Sequence, residues 1–279
     1  MTLSSIAVDG KTGRVLYDDN AEHTQHPASL TKMMVVYEVF KALKSGRLKL
    51  TDALPISKNA ASQQATNLGL RAGDTITVEN ALWGATVQSA NDAVMVFAEA
   101  LGGTGGNFAQ EMTRQAHALG MTNTEYVNPS GLPNKDQLTS ASDLIKIMQA
   151  LRRDFPQLFS AYFGRQTFTY PRYENNTYKN ATYHNYNPLL GWNGVVDGKS
   201  GFTCDAGHNL AVLAIRGDKQ VLAVIVGEHT SAKLKQDMMG LLNKSFKAAG
   251  RDKMLSSIAP PSGAAQKPSV MQPLIQPRG

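Results

Sequence analysis

Ser29 and Lys32 are the residues most able to do chemistry in this chain. They lie three positions apart in Pro27-Ala28-Ser29-Leu30-Thr31-Lys32. A hydroxyl is a weak nucleophile near pH 7 unless a base sits within hydrogen-bond reach. A lysine held beside it can be that base once burial and neighbouring positive charge lower its pKa. The spacing works if the segment is helical. Leu30, Met33, Met34, Tyr37, Phe40 and Leu43 recur at three- and four-residue steps, the helix period. Pro27 marks the start of this helix and Gly46 its stop. Ser29 is expected in the first helical turn, where unpaired N–H groups and the helix dipole favour developing negative charge. Lys32 then stands one turn on, on the same face.

Two further segments give this pair its context. Ser89-Ala90-Asn91 falls in a break between two helical runs. The first starts at Val78 with Thr77 as N-cap, and the second carries Val94, Phe97, Ala98 and Leu101 up to Gly102 and Gly103. Lys199-Ser200-Gly201 follows Val195-Val196-Asp197-Gly198, just ahead of a hairpin. Each triplet alone says almost nothing. In this order they follow Ser-x-x-Lys, Ser-Asp-Asn and Lys-Thr-Gly, the signature of penicillin-binding proteins and class A β-lactamases, with Ala90 at the Asp position and Ser200 at the Thr position.

On these residues the chain resembles the low-molecular-mass penicillin-binding proteins, the serine D-alanyl-D-alanine carboxypeptidases, over about residues 4–250. Residues 27–34 match closely. Ser89-Ala90-Asn91-Asp92-Ala93 matches with Ala90 where the family usually has Gly, and Asn128-Pro129-Ser130-Gly131-Leu132 matches a loop typical of it. Residues 196–203 resemble its Lys-Thr-Gly strand, with Ser200 in place of Thr and one residue fewer before the Lys. The resemblance implies a five-stranded antiparallel sheet flanked by helices beside a mainly helical subdomain. It implies peptidoglycan stem peptides ending in D-Ala-D-Ala as substrate and β-lactams as covalent inhibitors, with no cofactor and no metal. It also implies the roles. Ser29 is the nucleophile and Lys32 its base. Ser89 and Lys199 relay a proton to the leaving amine, and Asn91 holds the substrate amide or Lys32. The backbone N–H groups of Ser29 and Phe202 form the oxyanion site, and Ser200 and Thr203, after Gly201, hold the terminal carboxylate beside Lys199. One departure stands out. The family often has Arg within Asn-Arg-Asn before Leu-Leu, and here Tyr186 takes that place, with Arg172, Lys179 and His184 nearby in sequence.

The positioning elements read as follows. Residues 5–8 and 14–17 form a hairpin around Asp9–Gly13, and 209–215 with 220–227 form a second around Arg216–Lys219. Residues 48–76 are mixed, broken by Pro55, Gly69 and Gly73. Helices are expected at 107–119, from a Ser140 cap to near Asp154, and at 232–249. The tyrosine-rich stretch 162–192 reads as short strands and loops with hydroxyls at a surface or cleft rim. Two hairpins joined in one sheet, covered by the last helix and flanked by the middle helices, give an α+β architecture. The catalytic domain is assigned to 1–250 and a Pro-rich linker or tail to 251–279, with residues from about 257 dispensable.

Composition removes other classes. The net charge of +6 comes without a basic run of five, which argues against a nucleic-acid partner. Cys204 is the only cysteine, so there is no internal disulfide and no Cys-based zinc site. It is expected to be a small buried residue. His23 and His26 lack a carboxylate-rich partner set, and His-Glu-x-x-His is absent. No run of about 18 apolar residues spans a membrane, and membrane anchoring stays open. The substrate implied lies outside the cytoplasmic membrane, so an exported, periplasmic or cell-envelope protein is expected, with Met1 a cloning start after a removed signal peptide. Asn128 is expected to fix its own loop, since Asn-Pro-x-Gly is turn chemistry. Among rivals, a class A β-lactamase would need a Glu-x-x-Leu-Asn loop, and Glu125-Tyr126-Val127-Asn128 has the wrong register. A DD-endopeptidase shares the chemistry and differs on the acceptor side. A wall-binding protein without catalysis would not need Ser29.

Overall fold

The structure is a computed structural model that describes residues 2–249; the expected Pro-rich tail lies outside the described residues. β1 (Ser4–Asp9) and β2 (Val15–Asp19) form the N-terminal hairpin. A single 3-10 turn, Ala28–Thr31, leads into α1 (Lys32–Lys44). The mixed segment holds β3 (Ala53–Pro55), α2 (Lys58–Ala61) and β4 (Thr75–Thr77), with β3 and β4 paired. Next come α3 (Val78–Trp83), a π-helical turn (Gly84–Gln88), α4 (Asn91–Gly102) and α5 (Gly105–Ala118). They are followed by α6 (Ala141–Asp154) and α7 (Pro156–Phe163). β5 (Thr167–Glu174) and β6 (Thr177–His184) make a separate hairpin. β7 (Val195–Thr203), β8 (Gly207–Arg216), β9 (Lys219–Glu228) and α8 (Ser231–Ala248) complete the described chain.

The main sheet has the order β2-β1-β9-β8-β7 and is antiparallel throughout. β9 lies at its centre and is apolar on both faces, as a strand covered on both sides must be. Val221, Ala223 and Ile225 pack with Leu234, Met238, Leu242 and Phe246 of α8. Leu222, Val224 and Val226 pack with the helical region through α1 and α6. Each such buried side chain contributes about 1.5–3 kcal/mol. α1 is the axis of that second core. Every residue from Lys32 to Phe40 is buried, so its first turn, with Lys32, is sealed on all sides.

Local signals account for most boundaries. Thr77, Thr104, Ser140 and Thr230 each accept the backbone N–H three residues on, capping α3, α5, α6 and α8. The tyrosine-rich stretch is more regular than expected. Residues 167–184 within it form one hairpin with eight-residue strands, turned by Asn175 and Asn176 at φ 51° and 59°, the left-handed pair that tight hairpins require. Tyr162, Tyr170 and Tyr183 are buried, their rings filling apolar space as structural tyrosines do, whereas Tyr178 and Tyr186 are exposed and Tyr186 lies at the cavity.

Candidate active site

Ser29 does not sit in an α-helical turn as the periodicity predicts. The helix proper begins at Lys32, and Ser29 lies in the 3-10 turn before it. The reason is Ala28, whose φ is +47°, a left-handed value that no α-helix continues through. Such a conformation costs a non-glycine residue about 1–2 kcal/mol and persists only where neighbours enforce it. Asn209 donates from Nδ2 to the carbonyls of His26 and Pro27 at 3.2 and 3.1 Å. Gly131, at φ +82°, presses on the turn from the other side: a Cβ there would lie 1.9 Å from the Ala28 carbonyl oxygen. The loop that carries Gly131 is held as expected by Asn128. Its Oδ1 accepts from Ser130 Oγ and Gly131 N at 2.9 and 2.8 Å, and its Nδ2 donates to the Leu132 carbonyl at 3.0 Å. Gly131→Ala is therefore expected to lower stability by about 3 kcal/mol, from left-handed strain plus overpacking. A urea midpoint equal to wild type would show that the loop does not brace Ala28.

With three residues per 3-10 turn, positions i and i+3 stand directly in line. Lys32 Nζ lies 2.9 Å from Ser29 Oγ and donates to the Ser130 carbonyl at 2.6 Å. Lys32 is wholly buried. Burial lowers its pKa well below that of an ordinary lysine, the nearby charge of Lys199 lowers it further, and Asp92 opposes both. A neutral amine there can accept the Ser29 hydroxyl proton while still donating to Ser130.

The break before α4 has a specific geometry. The π-helical turn ends on Ser89 at φ +57°, and α4 starts two residues later. Thr66 Oγ1 donates to the Ser89 carbonyl at 2.8 Å, and Asn91 Nδ2 donates to the Gln64 carbonyl at 2.7 Å. Asn91 Oδ1 is buried without a partner, so Asn91 does not hold Lys32 here and keeps an acceptor free. Asp92 carries no role in the motif reading. Its carboxylate accepts from the backbone N–H groups of Leu68, Gly69 and Leu70 at 3.0–3.1 Å, which fastens the segment next to Ser89 and Asn91. Burial raises its pKa, and these N–H groups work against that.

On β7, Lys199 mirrors Lys32. Its Nζ donates to Ser89 Oγ at 2.9 Å and to the Ser200 carbonyl at 2.8 Å. Burial lowers its pKa to about 7. Gly201 lets β7 approach Ser29, since a Cβ there would lie 2.8 Å from Ser29 N. The structure brings Ser29, Ser89, Asn91, Ser200, Gly201, Phe202 and Thr203 to one cavity of about 460 Å³, joined by Ser130 and Tyr186. Arg172, Lys179 and His184 do not line it; Arg172 is turned to Asn67 instead. Cys204 is exposed, not buried. It follows the end of β7 in a solvent-facing turn where Ala206 is the side chain that tucks in. Among the described residues no Asp or Glu lines the cavity. Among those same residues, no cluster of three metal-ligating side chains occurs, and no helix is long and apolar enough to cross a membrane.

The family model for D-alanyl-D-alanine carboxypeptidase, Peptidase S11, matches residues 2–230. The chain belongs to this family. It is 32% identical to D-alanyl-D-alanine carboxypeptidase DacF of Bacillus subtilis, over 87% of this chain and 61% of that protein. It is 33% identical to D-alanyl-D-alanine carboxypeptidase DacC of Escherichia coli, over 87% of this chain and 60% of that one. The crystal structure of the carboxypeptidase DacD from Francisella tularensis superposes with a TM-score of 0.82 at 28% identity, covering 86% of this chain and 69% of that one. The S11 chain thus spans about three fifths of the length of the curated relatives it matches. The five-stranded antiparallel sheet with flanking helices is the penicillin-binding fold that the motifs implied.

Proposed function

We propose that this chain carries a serine DD-carboxypeptidase acting on peptidoglycan stem peptides. One observation carries the reading: two serines that line a single cavity each have the Nζ of a buried lysine 2.9 Å from the hydroxyl. Ser29 Oγ attacks the carbonyl of the penultimate D-Ala as Lys32 Nζ takes its proton. The tetrahedral oxyanion is stabilised by the backbone N–H groups of Ser29 and Phe202, donors fixed before the reaction begins. The C–N bond then breaks, and Lys199 through Ser89 delivers a proton to the departing amine of the terminal D-Ala. Asn91 Oδ1 accepts from an amide of the acyl part. Water hydrolyses the ester and restores Ser29. A β-lactam enters the same path and stays on Ser29, because its leaving amine remains tethered in the opened ring. Peptidoglycan lies outside the cytoplasmic membrane, so this activity places the protein in the cell envelope.

The test is a product assay on defined stem peptides. A monomeric pentapeptide is expected to lose one D-Ala, with no cleavage of cross-linked dimers. Conversion of dimers to monomers at a similar rate would make the enzyme an endopeptidase, and no product from either would remove the reading.

A further inference from the structure

His208 has no part in the chemistry above, yet it lines the cavity. It pairs in register with Phe202 on β7 and with Glu228 on β9, so these side chains share one face of the sheet. Ser200 precedes Phe202 by two residues and stands on that face too, diagonal to His208. The imidazole stacks on Phe202 with centroids 4.3 Å and planes 29° apart. This contact fixes the ring by its face. Its nitrogens make no hydrogen bond to another described residue.

The charges around this face make the position specific. Of the described residues lining the cavity, His208 alone can become a cation. Lys199 is committed to Ser89, and its pKa of about 7 leaves it only part of a charge at neutral pH. Lys233 on α8 pairs with Asp237 at 2.5 Å. Asp205 lies exposed in the turn after β7. Glu228 is buried on β9, where its Oε1 accepts from His229 N at 2.8 Å. An anion bound at Ser200 would face the Glu228 carboxylate unless a cation stood between them, and His208 is placed there by the register.

We propose that the imidazolium of His208, acting with the hydroxyls of Ser200 and Thr203, binds the free carboxylate of the departing D-amino acid and so selects chain-terminal over internal peptide bonds. This rests on the carboxypeptidase reading. A charge-assisted hydrogen bond in a partly buried cleft discriminates by about tenfold. No other cation among the described residues lining the cavity supplies it.

The experiment compares two peptides that differ only at the end, D-Ala-D-Ala and D-Ala-D-alaninamide, by the ratio of their kcat/KM values. Wild type is expected to favour the carboxylate. His208→Phe keeps the ring stack and loses the nitrogens, and the preference is expected to fall about tenfold. His208→Arg keeps a cation and is expected to retain it. A purely structural role would give the reverse order, since Phe preserves the packing. The inference is overturned if His208→Phe keeps the wild-type preference, or if His208→Arg loses it as fully as His208→Phe does. If wild type releases D-amino acid from neither peptide, the carboxypeptidase reading falls and takes this inference with it. Release with an unchanged preference removes the inference alone.

Discussion

Incubation with a penicillin is expected to add one covalent adduct to the wild-type chain and none to Ser29→Ala, and Lys32→Arg is expected to lose about 10³–10⁴-fold in acylation rate. The Ser29 result follows from its being the hydroxyl aligned with Lys32 at 2.9 Å and open to the cavity. The Lys32 result separates two roles. If only positive charge mattered, Arg would serve. If the residue must take a proton, Arg fails, because a guanidinium does not deprotonate in proteins. The burial of Lys32 and its proximity to Lys199 both favour the neutral amine. The wild-type acylation rate should accordingly rise with pH through a value well below that of an ordinary lysine. Intact-mass spectrometry over time reads both rates, and circular dichroism confirms that the variants are folded. Near-wild-type acylation by Lys32→Arg would show that charge alone matters. An adduct on Ser29→Ala would move the nucleophile elsewhere.

Much of this site was legible because its motifs sit at local features with short-range causes. Ser29 and Lys32 follow Pro27 at a helix start, and Ser89 falls between two helical runs. The strands that join the two termini were readable as hairpins, and their pairing follows from the need to bury both. What escaped depended on contacts distant in sequence. The 3-10 turn at Ser29 is imposed by Gly131 and Asn209, each about a hundred residues or more away. The second partner of Lys32 is the backbone carbonyl of Ser130, and a carbonyl has no residue type to announce it. Asp92 looked like part of a motif, and only the fold brings three backbone N–H groups to it. Cys204 was misread because cysteine is usually buried, whereas its turn faces solvent. Other signals were present and unused. Asn175-Asn176 marks a tight hairpin, and Pro156 is the first residue of α7, where its missing N–H costs nothing.

Lys199→Met is expected to leave the enzyme nearly inactive and yet, at pH 7, more stable than wild type. Turnover falls by about 10²–10³-fold because proton delivery through Ser89 is lost. Stability changes for a separate reason. Burial lowers the pKa of Lys199 from 10.5 to about 7. Between those values the unfolded chain holds a proton there that the folded chain does not, so Lys199 destabilises the fold as pH falls from 10.5 toward 7. At about 1.4 kcal/mol per unit, the cost at pH 7 is about 4 kcal/mol. The variant escapes it. It forfeits the hydrogen bonds to Ser89 and the Ser200 carbonyl, about 1 kcal/mol each, for a net gain of about 2 kcal/mol at pH 7. The sign makes the test sharp. As pH rises from 7 to 10, toward the unfolded pKa of 10.5, removing the proton on folding costs less, and the advantage of Lys199→Met should shrink by about 3 kcal/mol and reverse. Urea unfolding of both proteins across that range measures the difference, in which other titrating groups cancel. A difference that does not change with pH would mean that Lys199 stays protonated in the folded enzyme. It would then be a fixed cation at Ser89, and the proton delivered to the leaving amine would have to come from elsewhere.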